Sequence, residues 1–276
     1  MAVIGNDAYL AQNLQNVFIS DNVMNFPRLD YVGKEDIRHF NAVINFTIQP
    51  EFSCKTLSPD ELLDVKLAQM IKGSETKLVM ISSRKVYGLR NSADEIAETV
   101  PLQPIDAYAK NKAAAEKAIQ KIIPGQCLIA RVANVLGEPV NRIGYKTFMG
   151  WISESILTHG KLIVTENRET KKDFITRDYL QKALSVLVHK QVSGIINVGA
   201  GFALSLEKLL TEIVGEEHIF FEGKVPPRDQ FILNVDRLHR FVSPFTPQEL
   251  FDRCRRNRTV LMNYLKLHKE KANEQN

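Results

Sequence analysis

Cysteine is scarce in this chain of 276 residues: Cys54, Cys127 and Cys254 stand far apart, with no spacing suited to metal ligation. A count so low and odd excludes a disulfide framework and fits a reducing compartment, with Cys127 expected as a buried strand residue. Long hydrophobic runs are missing as well. No apolar stretch suffices to cross a bilayer, and the chain begins MAVIG with no signal-peptide pattern, so a cytoplasmic protein without membrane insertion is expected. Internal repeats and low-complexity tracts are absent. Charge of one sign is in small excess: 36 Lys and Arg against 32 Asp and Glu leave a formal +4. Much of that excess sits late, in Arg253, Arg255, Arg256, Arg258, Lys266, Lys269 and Lys271. Without interleaved aromatics, this pattern describes a solvated terminal helix and no nucleic-acid partner.

What is present is the ordinary mixture of a globular protein, 44% hydrophobic and 25% charged. The length allows a substantial core, in one large domain or two intimate ones. A mildly basic surface also suits an anionic small molecule.

The stretch from Lys77 to Leu136 organises the chain. An apolar run, Leu78 to Ile81, ends in Ser82 and Ser83; after a polar loop comes DAYAKNKAAAEKAI, and then CLIARVANVLG. The spacing predicts a helix that carries Tyr108 and Lys112 four positions apart on one face. A phenol has an unperturbed pKa of about 10 and needs help to move protons near neutrality. An ammonium one turn away favours the phenolate, and a serine hydroxyl past a strand end can hold a substrate oxygen against the phenol.

Ser83-Arg-Lys-Val-Tyr-Gly88 followed by Tyr108-Ala-Lys-Asn-Lys112 resembles the extended short-chain dehydrogenase/reductase family of nucleotide-sugar epimerases, dehydratases and reductases. The resemblance extends from Gly5 to about Leu238. It implies an α/β, Rossmann-like doubly wound parallel sheet with a smaller C-terminal substrate-binding lobe. The dinucleotide domain is expected over 1–140, with 172–200 returning to it; the lobe is expected over 141–171 and 201–265, with a frayed tail at 266–276. By the same resemblance Ser83, Tyr108 and Lys112 are catalytic, and NAD or NADP is the cofactor. The partners implied are a nucleotide-sugar substrate and a second copy of the chain, docked through helices near Leu62–Ile71 and Tyr108–Ile122.

Glycine is thin where that family needs it. The family's Gly-x-x-Gly-x-x-Gly stands here as Gly5-x-x-Ala8-x-x-Ala11, with one glycine left. Its backbone amides meet a pyrophosphate at a helix N-terminus, so Gly5, Ala8, Tyr9 and Leu10 are cofactor candidates. The next segment has two readings. In one, Val17 to Asn22 is the second strand and Asp21 takes the adenosine ribose of NAD. In the other, a helix continues to about Ile19, Asn25 to Tyr31 supplies the strand, and Arg28 lies near an NADP phosphate. Asp21 is favoured. The segment Asn41 to Thr47 resembles the fourth family strand and places Asn45, Phe46, Thr47 and, from the central strand, Ile81 beside the cofactor. Ser58-Pro59-Asp60-Glu61 starts a helix whose apolar stripe, Leu62 to Ile71, carries no chemistry.

Also missing are the two acids with which dehydratases of this family remove water: Arg84 and Lys85 occupy their places. Arg131-x-x-Asn134 resembles the family's Arg-x-x-Asn and makes Asn134 a substrate contact, joined by Ser83, Arg84 and, from Pro226-Pro227-Arg228-Asp229, Arg228. Lys172-Asp-Phe-Ile175 and Asn197-Val-Gly199 resemble family elements that lead back to the sheet, and Ser205 is an expected N-cap. The first expectation for function is reduction of a nucleotide-linked 4-keto-6-deoxysugar. The alternatives are an epimerase with tightly held NAD and a non-catalytic nucleotide-binding regulatory relative.

Overall fold

A computed structural model describes residues 1–18, 22–90, 94–139, 147–222 and 225–274; the side chains at 34, 35, 269 and 271–274 are not described. Six strands form one sheet: β1 (Ala2–Ile4), β2 (Met24–Phe26), β3 (Ala42–Asn45), β4 (Lys77–Ser83), β5 (Cys127–Val132) and β6 (Gly194–Val198). Their order is β6-β5-β4-β3-β1-β2, and every pairing is parallel. The apolar runs need no polar alternation because both faces are covered. Period-two alternation divides them instead. Val3, Ile44, Val79 and Leu128 point into one core, while Ile4, Val43, Leu78 and Ile129 point into the other.

The helices of nine residues or more are α1 (Leu63–Ile71), α2 (Ala107–Ile122), α3 (Phe148–His159), α4 (Arg177–His189), α5 (Leu206–Val214) and α6 (Pro247–Glu274). α1 and α2 cover the second core, and α4 lies over the first. Asp106 caps α2 by accepting the Ala109 N–H at 2.7 Å, and Ser205 caps α5 as its sequence predicts. The helix start expected at Ser58 instead makes a capping box with Glu61 that serves a short 3₁₀ turn, Pro59–Glu61, and α1 begins only at Leu63. Two-stranded ribbons build the remainder, including Asn134–Leu136 with Phe174–Thr176 and Leu162–Val164 with Ile219–Phe221. Helical backbone in α6 continues well past residue 265, where fraying was expected.

The early part of the chain follows the second reading only in its strand, which starts near Asn25, and neither reading in full. No α-helix forms among the described residues between β1 and β2. Turns closed by Ala8 N–H to Gly5 O, Ala11 N–H to Ala8 O and Leu14 N–H to Ala11 O lead into a 3₁₀ turn, Leu14–Asn16. Val17 and Phe18 do not join the sheet, and β2 is Met24–Phe26. Asp21 itself lies outside the described residues. The strand it was expected to terminate starts three residues after it, so the carboxyl end of β2 leads to Arg28, which is exposed and paired with Asp30 at 2.9 Å.

Two buried polar knots tie the layers together. Glu116 of α2 receives Arg131 of β5, Nη2 to Oε2 at 2.6 Å and Nε to both oxygens, and accepts the Ser82 hydroxyl. Arg131 also donates to Tyr87 Oη and to Glu98 O, and the Tyr87 hydroxyl donates to Asn197 at 2.7 Å. Breaking such a pair leaves a charge buried alone. Glu116→Ala is expected to lower unfolding free energy by about 3–5 kcal/mol, read from urea denaturation at pH 7.

The second knot is Asp173, 0% exposed, whose carboxylate accepts the Ala200 N–H at 2.8 Å and the Leu233 N–H at 3.2 Å. Burial outweighs those donors and pushes its pKa up to about 7. The folded state therefore binds this proton where the unfolded state has released it, and stability drains away as pH rises from about 4 to about 7. Relative to Asp173→Asn, wild-type stability is expected to fall by about 2–3 kcal/mol between pH 5 and pH 8, measured by urea midpoints at both pH values.

Candidate active site

The sheet reverses its winding between β1 and β3, and in open parallel sheets that point, at the carboxyl ends, is where ligands bind. A cavity of about 280 Å³ lies there, lined by Ala8, Tyr9 and Leu10 after β1, Asn45, Phe46 and Thr47 at β3, Ile81 of β4, and Tyr108 and Lys112 of α2. Gly5 sits behind it at φ 78°, and a Cβ there would stand 2.6 Å from Thr47 Cγ2 and 2.9 Å from Thr47 N. Only glycine permits that approach.

Helical spacing places Tyr108, Lys112 and Glu116 in one row. Glu116 is fixed to Arg131, and the other two meet the loop before α1. The Phe52 ring packs edge-on against Tyr108 at 5.6 Å and lies 5.2 Å from the Lys112 ammonium. Asn111, 0% exposed, holds that loop: its amide donates to Phe52 O at 2.9 Å and Lys55 O at 2.7 Å, and its oxygen accepts the Leu57 N–H at 2.8 Å. Lys112 Nζ lies 3.4 Å from Asp64 Oδ2, with both side chains buried.

A larger cavity of about 600 Å³ adjoins, with Val135 in the wall of both. Arg84, Asn134, Glu166 and Lys172 supply its polar side; Phe148, Trp151 and Phe174 supply its aromatic side. Arg84 is committed: Nη1 and Nη2 grip the two oxygens of Asp229 at 2.5 and 2.6 Å, and the guanidinium covers the Phe231 ring at 4.2 Å. Lys172 bridges Glu166 at 3.1 Å and Asp229 at 3.8 Å.

Of the residues expected from sequence, the structure gathers Ala8, Tyr9, Leu10, Asn45, Phe46, Thr47, Ile81, Tyr108 and Lys112 round one cavity, and Arg84 and Asn134 round its neighbour. Ser83 lines neither cavity; its hydroxyl accepts the Lys85 N–H at 3.3 Å and caps the turn Arg84–Tyr87. Arg228 is a correction. It is exposed over a separate hollow with Leu89, Pro226, Pro227 and Gln230, because the chain turns at Asp229 (φ 53°) and sends that carboxylate inward instead. Asp64, Lys172 and Asp229 were not expected. Asp64 has the ordinary signature of a first-turn helix acid, and Pro-Pro-Arg-Asp drew attention to its arginine.

The cavity suits the nicotinamide end of a dinucleotide: a phenol, an oriented ammonium and amide groups converge at the switch point. At the diphosphate end, turn amides replace the helix N-terminus that normally carries anion affinity. Tyr9 closes that end. Its hydroxyl is buried against Gly137, and the Glu138 backbone approaches it without closing a bond of good geometry. Burial, with Glu138 beside it, pushes this phenol up to about 12. A Cβ on Gly137 would lie 0.8 Å from the Tyr9 oxygen. Gly137→Ala is expected to cost about 1–3 kcal/mol in urea denaturation, and the same methyl in a Tyr9→Ala background is expected to cost nothing further.

This arrangement, a doubly wound parallel sheet with a tyrosine–lysine helix at its switch point and a second cavity alongside, defines a class of dinucleotide-cleft proteins. The chain belongs to the NAD dependent epimerase/dehydratase family, whose profile matches residues 22–199, more than half of its length. The matched region begins after the turns that follow β1. In sequence the chain is similar to the human dTDP-D-glucose 4,6-dehydratase, 30% identical over 144 residues, which are 50% of this chain and 39% of that protein. The mouse dehydratase matches to the same extent. The chain thus spans about two fifths of the length of these curated relatives. In structure it is similar to the UDP-N-acetylglucosamine 4-epimerase of Methanobrevibacter ruminantium in complex with UDP-N-acetylmuramic acid, at TM-score 0.77 and 16% identity, covering 95% of this chain and 97% of that one. The dTDP-glucose 4,6-dehydratase of Bacillus anthracis in complex with NAD gives TM-score 0.74 and 16% identity, covering 97% and 98%. At such identities the likeness establishes the fold.

Proposed function

We propose that this protein is an NAD(P)-dependent oxidoreductase that reduces a keto group on a nucleotide-activated sugar, most simply a 4-keto-6-deoxysugar. The observation that carries the reading is the meeting of two cavities at Val135, one lined by Tyr108 and Lys112 and the other wide enough for a sugar nucleotide. Reduced nicotinamide, when bound, supplies a hydride to the carbonyl carbon. Tyr108 gives its phenolic proton to the carbonyl oxygen, and Ser83, at the end of β4, is the hydroxyl assigned to align that oxygen. Lys112, one helical turn from Tyr108 on the same face, meets the nicotinamide ribose, and Asn134 contacts the sugar or its diphosphate.

Two features support reduction over its relatives. Dehydratases of the family carry an acid and a base just after the strand-end serine, where this chain has Arg84 and Lys85, and Arg84 is already bound to Asp229. Epimerisation needs a cofactor that stays through both half-reactions. A diphosphate site with no α-helix N-terminus among the described residues supports a dinucleotide that enters and leaves with each turnover.

Tyr108→Phe is expected to lower turnover of a 4-keto sugar nucleotide by roughly a hundred- to ten-thousand-fold while dinucleotide binding, read by NADPH fluorescence, persists. Wild-type turnover in that variant would defeat the mechanism. Purified, dialysed protein is expected to carry well under one dinucleotide per chain. One tightly held NAD per chain would turn the reading to an epimerase.

A further inference from the structure

Beside Lys112 stands a carboxylate that the chemistry above does not use. Asp64, in the first turn of α1, is 3% exposed. Its Oδ1 accepts the Asn45 Nδ2–H at 2.7 Å, and its Oδ2 lies 3.4 Å from Lys112 Nζ. Asn45 is fixed in turn, its side-chain oxygen accepting the Thr47 N–H at 3.0 Å and the Thr47 hydroxyl. Thr47, Asn45, Asp64 and Lys112 thus form one hydrogen-bonded relay across β3, α1 and α2. Its members other than Asp64 line the smaller cavity.

We propose that Asp64 is a positioning residue that orients the Lys112 ammonium toward the dinucleotide and balances its charge. This rests on the proposed function in one respect: Lys112 is taken as the group that meets the nicotinamide ribose. A lysine ammonium is a point charge on a flexible stem, and unlike a guanidinium it carries no geometry of its own. Here geometry comes from outside. The Asn45 amide fixes one carboxylate oxygen, the start of α1 favours the anion, and the Phe52 ring face limits the ammonium from another side. Paired in this way, the site presents oriented N–H donors with no net charge. That chemistry suits the neutral hydroxyls of a ribose, whereas a phosphate requires uncompensated positive charge. The pair also explains why an apolar stripe carries an aspartate on its buried side. A salt bridge serving only stability is replaceable by apolar side chains of the same volume.

The test is a double-mutant cycle on the full chain, read as NADH and NADPH dissociation constants by fluorescence titration. Asp64→Asn and Lys112→Met are each expected to weaken binding about tenfold, and the double variant no more than either alone. Circular dichroism checks that each variant is folded; if Asp64→Asn is not, Asp64→Ser takes its place in the cycle. A stabilising pair with no hold on the ligand leaves dinucleotide affinity unmoved. Unchanged affinity in Asp64→Asn, or losses that multiply in the double variant, overturns the assignment of Asp64 alone. Wild-type protein that binds neither dinucleotide overturns the proposed function and this inference together.

Discussion

A buried ion pair, Glu116 with Arg131, sets the register on which the active-site geometry depends. Its two charges sit at 1% and 3% exposure, where an unpaired charge would be prohibitive, so helix α2 and strand β5 have one mutual position that satisfies both. The row Tyr108, Lys112, Glu116 repeats every four residues, and fixing its last member fixes the other two over the end of the sheet. Ser82 and Tyr87 extend the same constraint to β4 and its following turn, and Asn197 extends it to β6. A single bonded network thereby aligns three adjacent strands, β4, β5 and the edge strand β6, with the helix that carries the candidate catalytic pair.

Around that rigid centre the two ends of the cleft are built differently. The end assigned to nicotinamide is supported twice over, by Asn111 holding the Phe52 loop and by Asp64 holding Lys112. The end assigned to diphosphate has no α-helix among the described residues, and Tyr9 packs its phenol into the gap over Gly137. The larger cavity is shaped by a second ion-paired cluster, Arg84 and Lys172 with Asp229 and Glu166, which draws the loop at 226–230 against the turn that follows β4.

Much of the site was legible in the chain because it depends on local spacing. Tyr108 and Lys112 face one cavity because a helix repeats every 3.6 residues, and Asn134 faces the next because it leaves β5 two residues past its end. Arg228 and the setting of Ser83 were less legible, for the opposite reason. A backbone turn at Asp229 and a capping bond at Ser83 decide where those side chains go, and neither leaves a mark in composition or period. The favoured reading placed the second strand too early because Val17 and Phe18 are as apolar as a strand requires, while the alternative from Asn25 lay close to the observed Met24–Phe26. Phe18 is buried, yet it packs in the core outside the sheet.

By itself the sequence determined the alternation of strand and helix, the burial of the central runs, and the presence of a tyrosine and a lysine on one helical face. These follow from interactions between residues near one another along the chain. Tertiary structure alone decided that Asp64 stands behind Lys112, that Asp229 rather than Arg228 turns inward to pair with Arg84, and that turns stand in place of the first helix among the described residues. Each of these turns on a contact between segments far apart in sequence, or on a competition between a helix and the space left by its neighbours, and no local pattern encodes such a balance.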